Sequence, residues 1–278
     1  METMTTPTIL VEPKRLRLFP AKLRAALIHI GISAVIFLVF LYLILVEWYP
    51  PPFFTTDGGW SGVLIMVLVD IVLGPTLTFI IFNPRKSRKE ILLDLSIVAV
   101  IQLGALAWGG YTVYNQRPVA VVEWEGVLKP LTIEPLYAQE KTLADLQQFG
   151  TGPRPVIRAE PPKTKDEIGT MMELAFNRDI GETQQFWMFR SFKGSLAEIK
   201  KRVLDITAVT KSNAEINAEL DKFLQQNSGK KAEDFLYLKF AGRYKDAIFV
   251  FDVAGTQVGT ITWSAPERYR RFTPLPPK

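Results

Sequence analysis

One carboxylate stands in the middle of a long apolar stretch. Asp70 lies ten residues into the run Trp60–Phe82, about 15 Å from its start at the rise of a helix. At that depth in hydrocarbon a carboxylate costs several kcal/mol unless it is paired, hydrated or protonated. Such a group can relay protons or tie helices together. Gln102, about twelve residues into a later apolar run, is at similar depth and is a plausible hydrogen-bond partner. The interhelical hydrogen bond is the preferred reading, because a proton path needs more polar side chains than these runs supply. Asp94, close to the basic stretch Arg85–Lys89, is expected to form a salt bridge or to reach headgroup depth. His29 is placed near the inner end of the first run, at an interface.

Other chemistries are excluded by composition. The chain has no cysteine and one histidine. That removes a thiol nucleophile, a disulfide framework and a histidine-rich metal cluster. No Walker loop and no dinucleotide fingerprint is present, and a Ser-His pair has no histidine after residue 29. The sequence therefore predicts no catalytic residue, no cofactor and no metal. The net charge of +5 is no nucleic-acid signal: residues 115–278 hold 24 basic and 21 acidic residues, interleaved as on a solvated surface.

The elements that must position Asp70 and Gln102 are three apolar runs, roughly Ala25–Val46, Trp60–Phe82 and Ile91–Tyr114. Each has about 22 to 25 residues, enough for a helix to cross ~30 Å of hydrocarbon. Residues 33–46 show no polar stripe, unlike a buried helix of a soluble protein. The first run is too long for a signal peptide and lacks a small-residue cleavage site before Pro50. All nine basic residues before position 115 fall on one side. Lys14, Arg15, Arg17, Lys22 and Arg24 precede the first run, and Arg85, Lys86, Arg88 and Lys89 fill the loop Asn83–Lys89, while the gap 47–59 has none. Short loops rich in Lys and Arg stay in the cytoplasm. The expected topology puts residues 1–24 inside, 47–59 outside, Asn83, Pro84 and the basic loop inside, and 115–278 outside. The expected regions are a cytoplasmic tail (1–24), a three-helix transmembrane region (25–114) and a periplasmic domain (115–278). Gly74 and Pro75 should kink the second helix. Gly104, Gly109 and Gly110, with Ala105 and Ala107, permit close helix approach. They could seat Trp60 and the second helix, or a helix of another protein.

After Tyr114 the pattern changes. Val119–Trp124 reads as a strand, Leu131–Ile133 as a continuation of the sheet, and residues 142–149 as a short helix. Gly150–Pro162 reads as a proline-rich loop. Helices are expected over 164–176, with Thr164 and Glu167 as a capping box, over 195–206 and over 212–226. Phe186–Phe189 reads as core. Residues 235–240, 247–252 and 257–263 read as a three-stranded meander. The expectation is an α+β domain with an antiparallel sheet built from both ends of the segment.

Asp57-Gly-Gly-Trp60, Val69-Asp-Ile-Val-Leu-Gly-Pro75, Phe82-Asn-Pro-Arg-Lys-Ser-Arg-Lys-Glu90, Leu93-Asp-Leu95 and Tyr111-Thr-Val-Tyr114 followed by Arg117-Pro-Val119 form an ordered set of motifs. This set resembles the type IV pilin accessory proteins of the TfpX/TfpZ group. The resemblance is strong over about 65 residues and looser over the final meander. Leu136–Gly229 does not share it, and the end, Trp263-Ser-Ala-Pro266, departs from the Asp-Pro-Trp-like finish expected of the group. It implies a bacterial inner-membrane protein that accompanies a major type IV pilin and assists its assembly or surface display. The implied mode of action is binding rather than catalysis. The implied partners are a major pilin, the lipid bilayer and other pilus assembly proteins. The alternative, independent of resemblance, is a membrane-anchored sensor or enzyme with a periplasmic ligand-binding domain.

Overall fold

A computed structural model describes residues 18–264. Lys14, Arg15, Arg17 and the basic tail from Arg268 lie outside the described residues. Three helices are long and apolar enough to cross a membrane, by length and composition: Leu18–Trp48, Gly59–Ile81 and Arg88–Asn115. They extend the expected runs by a few residues at most ends, since polar flanking residues continue a helix as readily as apolar ones.

The second helix is irregular where the sequence places proline. Its middle, Val67–Leu73, is π-helical, and the Gly74 N–H bonds back to Val69 rather than to residue 70. Pro75 has no N–H and its ring crowds the preceding turn, so the helix widens there. Asp70 sits inside this widened segment. The third helix starts at a capping box that the sequence reading passed over. Ser87 N–H donates to Glu90 Oε2 at 2.8 Å, and Glu90 N–H donates to Ser87 Oγ at 3.3 Å. Asn83 Oδ1 accepts from Arg85 N–H at 3.0 Å, which turns the chain ahead of it.

The chain divides into two compact units, residues 1–41 with 63–110, and residues 42–62 with 111–278. The connection between the first two helices thus belongs with the C-terminal unit. It carries a short helix, Phe53–Thr56.

The C-terminal unit is built on one seven-stranded sheet, ordered β4-β3-β1-β2-β5-β6-β7. The strands are β1 Ala120–Trp124, β2 Val127–Leu131, β3 Val156–Ala159, β4 Phe189–Ser191, β5 Phe235–Ala241, β6 Asp246–Asp252 and β7 Gln257–Ile261. The sheet is mixed, which corrects the antiparallel expectation. β1 pairs with β3, and β2 with β5, in parallel. The other neighbours are antiparallel. A parallel pair needs a long crossover connection, and the helical segments between β2 and β5 supply it. β2 occupies 127–131, so Leu131 ends a strand rather than starting one.

β3 lies within the stretch read as a loop, and the expected helix over 195–206 is broken into Leu196–Ile199, a 3-10 turn at Lys200–Arg202, and a separate helix Ile206–Ser212. Asp205 caps that last helix, its carboxylate accepting from Ala208 N–H at 3.1 Å. Helix Lys165–Asn177 begins at the expected Thr164–Glu167 capping box. Met188 and Phe189 are buried with Leu136, Leu146 and Ile157 in one core cluster. A second cluster packs Ile216, Leu220 and Phe223 of helix Ala214–Gln226 against β5, β6 and β7.

Candidate functional site

In the first unit the three apolar helices line a cavity of about 670 Å³, walled mainly by apolar groups and including Asp70, His29, Thr78 and Gln102. Asp70 is 5% exposed, and among the described residues its Oδ2 has no hydrogen-bond partner. Gln102 faces the same cavity. Gly74 leaves room for it, since a Cβ there would lie 1.9 Å from the Gln102 amide nitrogen. The expected Asp70–Gln102 hydrogen bond is not formed among the described residues. Instead His29 Nδ1 lies 2.6 Å from Thr78 Oγ1, so His29 ties the first helix to the second rather than merely sitting at an interface. The cavity can therefore present one unpaired carboxylate to a donor in apolar surroundings.

The remaining candidates of this unit separate. Lys86 Nζ is 2.5 Å from Asp94 Oδ2, the expected salt bridge. Both side chains keep solvent contact, so the pair contributes less than about 1 kcal/mol. Gly110 is packed, with Phe40 where a Cβ would point, while Gly104 and Gly109 have open space there. Pro84, Arg85, Lys86, Arg88 and Lys89 are exposed.

In the second unit, a residue that the sequence marks only as part of the Asp57-Gly-Gly-Trp60 motif proves central. Asp57 is 4% exposed. Its Oδ2 accepts from Thr56 Oγ1 at 2.6 Å and its Oδ1 from Arg243 N–H at 3.0 Å. Burial pushes its carboxyl up to about 6, against the opposing pull of those two hydrogen bonds and of the Arg243 charge. Tyr244 N–H donates to Thr56 O at 2.8 Å. Gly58 has φ of +98°, a conformation that favours glycine, and the Tyr244 ring occupies the space a Cβ would need. Phe53 meets Phe240 and Phe249 edge-on, at centroid distances of 5.7 and 6.2 Å; each such pair adds roughly 0.5–1.5 kcal/mol beyond buried area. Tyr49 O–H donates to Val113 O at 3.0 Å, and burial pushes its phenol up to about 12. The first connection is thus clamped to the β5–β6 turn. Trp60 is 69% exposed and tilts against Phe54, ring centroids 5.6 Å apart.

No protein-family model and no solved structure matches the chain. Curated sequences do. Over 239 residues the chain is 28% identical to the fimbrial assembly protein of serogroup E1 from Dichelobacter nodosus, covering 84% of this chain and 91% of that relative, and the serogroup I protein of the same organism matches to the same extent. The fimbrial assembly protein of serogroups C1 and C2 is 39% identical over 105 residues, 38% of this chain and 79% of that relative. The chain belongs to the fimbrial assembly protein family. The 239-residue matches are longer than either compact unit, so those two relatives match both the apolar helices and the sheet-bearing unit. The resemblance read from the motifs and the family shown by these relatives agree.

Proposed function

We propose that the protein is a multi-pass inner-membrane factor of fimbrial biogenesis that binds a major type IV pilin and assists its assembly or display. Its amino terminus is cytoplasmic and its sheet-bearing unit periplasmic. It acts by binding, not by catalysis. The observation that carries this reading is the match to fimbrial assembly proteins across both units. The three apolar helices support the membrane placement, and the one-sided Lys and Arg support its direction. A subunit anchored by an apolar helix and bearing an outer head can be met on both parts by such a layout.

Two measurements test this. A reporter active only in the periplasm should be active when fused after Tyr114 and silent when fused at Ser87; the reverse pair would overturn the direction. A photo-crosslinking residue at exposed Phe176 or Tyr137, in cells making pili, should capture the major pilin. Repeated capture of other proteins with no pilin, in cells rich in pilin, would overturn the pilin-binding reading.

A further inference from the structure

Two arginines of the C-terminal unit share one small polar cavity, and among the described residues neither is in a salt bridge. The cavity has a volume of about 270 Å³ and includes Val46, Glu47, Arg117, Leu143, Gln147 and Arg154. Arg117 is 9% exposed. Its guanidinium lies 3.5 Å from the Tyr114 ring centroid and donates through Nη1 to Tyr114 O at 2.6 Å. Arg154 donates through Nε to Pro118 O at 3.0 Å and through Nη2 to the carbonyls of Glu47 and Trp48.

These contacts fix both groups while leaving their charges unpaired. A buried charge is ordinarily paired. The comparison within this protein is direct. Arg158, 8% exposed, has the Glu123 carboxylate 3.7 Å away. Arg117, equally buried, has no carboxylate oxygen within 4 Å among the described residues, and neither has Arg154. Burial first, and then the Arg117 charge, lower the proton affinity of Arg154. Glu47, exposed on the rim, is the acidic member of the lining and offsets part of the charge.

We propose that Arg117 and Arg154 form a binding site for a phosphate group. Guanidinium forks match phosphate oxygens in geometry and remain charged at any physiological pH. The cavity lies at the end of the first apolar helix, Leu18–Trp48, and two residues past the third, Arg88–Asn115. Under the membrane reading above, on which this placement rests, that is the level of lipid headgroups. The phosphate then belongs to an anionic lipid, and the site anchors the ends of two spans to the surface. A free phosphate is the other source of the same chemistry.

The test uses the full-length protein in detergent, with native mass spectrometry for lipid adducts and thermal melting for added ligand. Phosphatidylglycerol should bind, and diacylglycerol, which lacks the phosphate, should not. Arg117→Gln and Arg154→Gln should each weaken phosphatidylglycerol binding about tenfold or more. Arg154→Gln also removes contacts to helix-end carbonyls, so Arg117→Lys, which keeps charge without the fork, and Glu47→Gln, an exposed change, guard against a folding artefact. Arg117→Lys should fall between wild type and Arg117→Gln, and Glu47→Gln should bind several-fold tighter. Stabilisation by inorganic phosphate with no selective lipid binding supports the site and assigns it to a free anion, which counts against the membrane placement alone. Binding that is the same in wild type and all four variants, or absent for both ligands, overturns the proposal.

Discussion

Asp57 shows how one buried carboxyl makes stability depend on pH. Its carboxyl is pushed from an ordinary 3.8 up to about 6 in the folded chain. Folding therefore takes up a proton between about pH 4 and pH 6. The carboxyl favours the folded state fully below pH 4 only, and that contribution is lost as pH rises through 6. The difference corresponds to on the order of 3 kcal/mol. Asp57→Asn keeps an oxygen for the Arg243 N–H but cannot ionise. The stability of wild type relative to this variant, from melting of the whole protein at several pH values, should fall between pH 4 and 7; a constant difference would show that Asp57 is not the group responsible. Asp70 is a different case. Among the described residues its Oδ2 has no donor, so an amide in its place loses no hydrogen bond there and keeps the hydrogen-bonding capacity that leucine lacks. Asp70→Asn should keep most surface pili, whereas Asp70→Leu should lose them. Equal loss in both would mean that ionisation is required. Asp70 was legible in the sequence because a charge inside an apolar run declares its own cost. Asp57 was not, because its partner Arg243 is 186 residues away and nothing local signals burial. Arg117 and Arg154 were missed for the same reason: their shared cavity depends on the fold of the proline-rich segment.

At the scale of elements, what could be read was what local sequence determines. The three apolar helices, the capping box at Thr164 and the strands β5 to β7 all rest on periodicity or on residues three apart. What failed were elements settled by long-range pairing. β3 has four residues, Val156–Ala159, and is held by parallel pairing with β1 and antiparallel pairing with β4. With Pro153 and Pro155 before it and Pro161 and Pro162 after it, its propensity points to a loop. The mixed sheet follows from the same cause, since strand direction depends on crossovers that no local window contains. The clamp on the β5–β6 turn makes a specific prediction. A Cβ at Gly242 would lie 2.4 Å from Lys245 O and 2.8 Å from Thr56 O, both backbone atoms. Gly242→Ala should therefore lower the melting temperature, at a cost of about 1–3 kcal/mol, and open residues 49–58 to protease. Gly169, in the exposed middle of helix Lys165–Asn177, has nothing within 4 Å. There the same change should raise stability by roughly 0.5–1 kcal/mol. If Gly242→Ala proved as harmless as Gly169→Ala, the connection would not be clamped as described.

For the whole molecule, the division into units changes where specificity should be sought. The sequence boundary at residue 115 assigns residues 47–59 to the membrane region, whereas the structure groups 42–62 with 111–278. Thr56 and Asp57 accept hydrogen bonds from the β5–β6 turn, Phe53 packs on β5 and β6, and Arg154 holds the carbonyls of Glu47 and Trp48. Under the proposed function, the unit that would read a pilin head consists of two stretches of chain. Leu136–Gly229, outside the motif resemblance, lies within it and carries exposed apolar side chains such as Tyr137 and Phe176. Interface energy concentrates in a few such anchors. Exchanging 42–62 together with 111–278 for the corresponding segments of a family member that serves another pilin should switch which pilin reaches the surface. Exchanging 111–278 alone should give a less stable protein, because the clamp at Asp57 and Gly242 would be mismatched. Exchanging 18–41 with 63–110 should leave pilin preference unchanged. Surface pilin typed by antibody, with melting temperature as the control for folding, distinguishes these results. If preference followed the 18–41 and 63–110 exchange instead, recognition would take place between apolar helices, and the cavity holding Asp70 and Gln102 would be where the pilin helix docks.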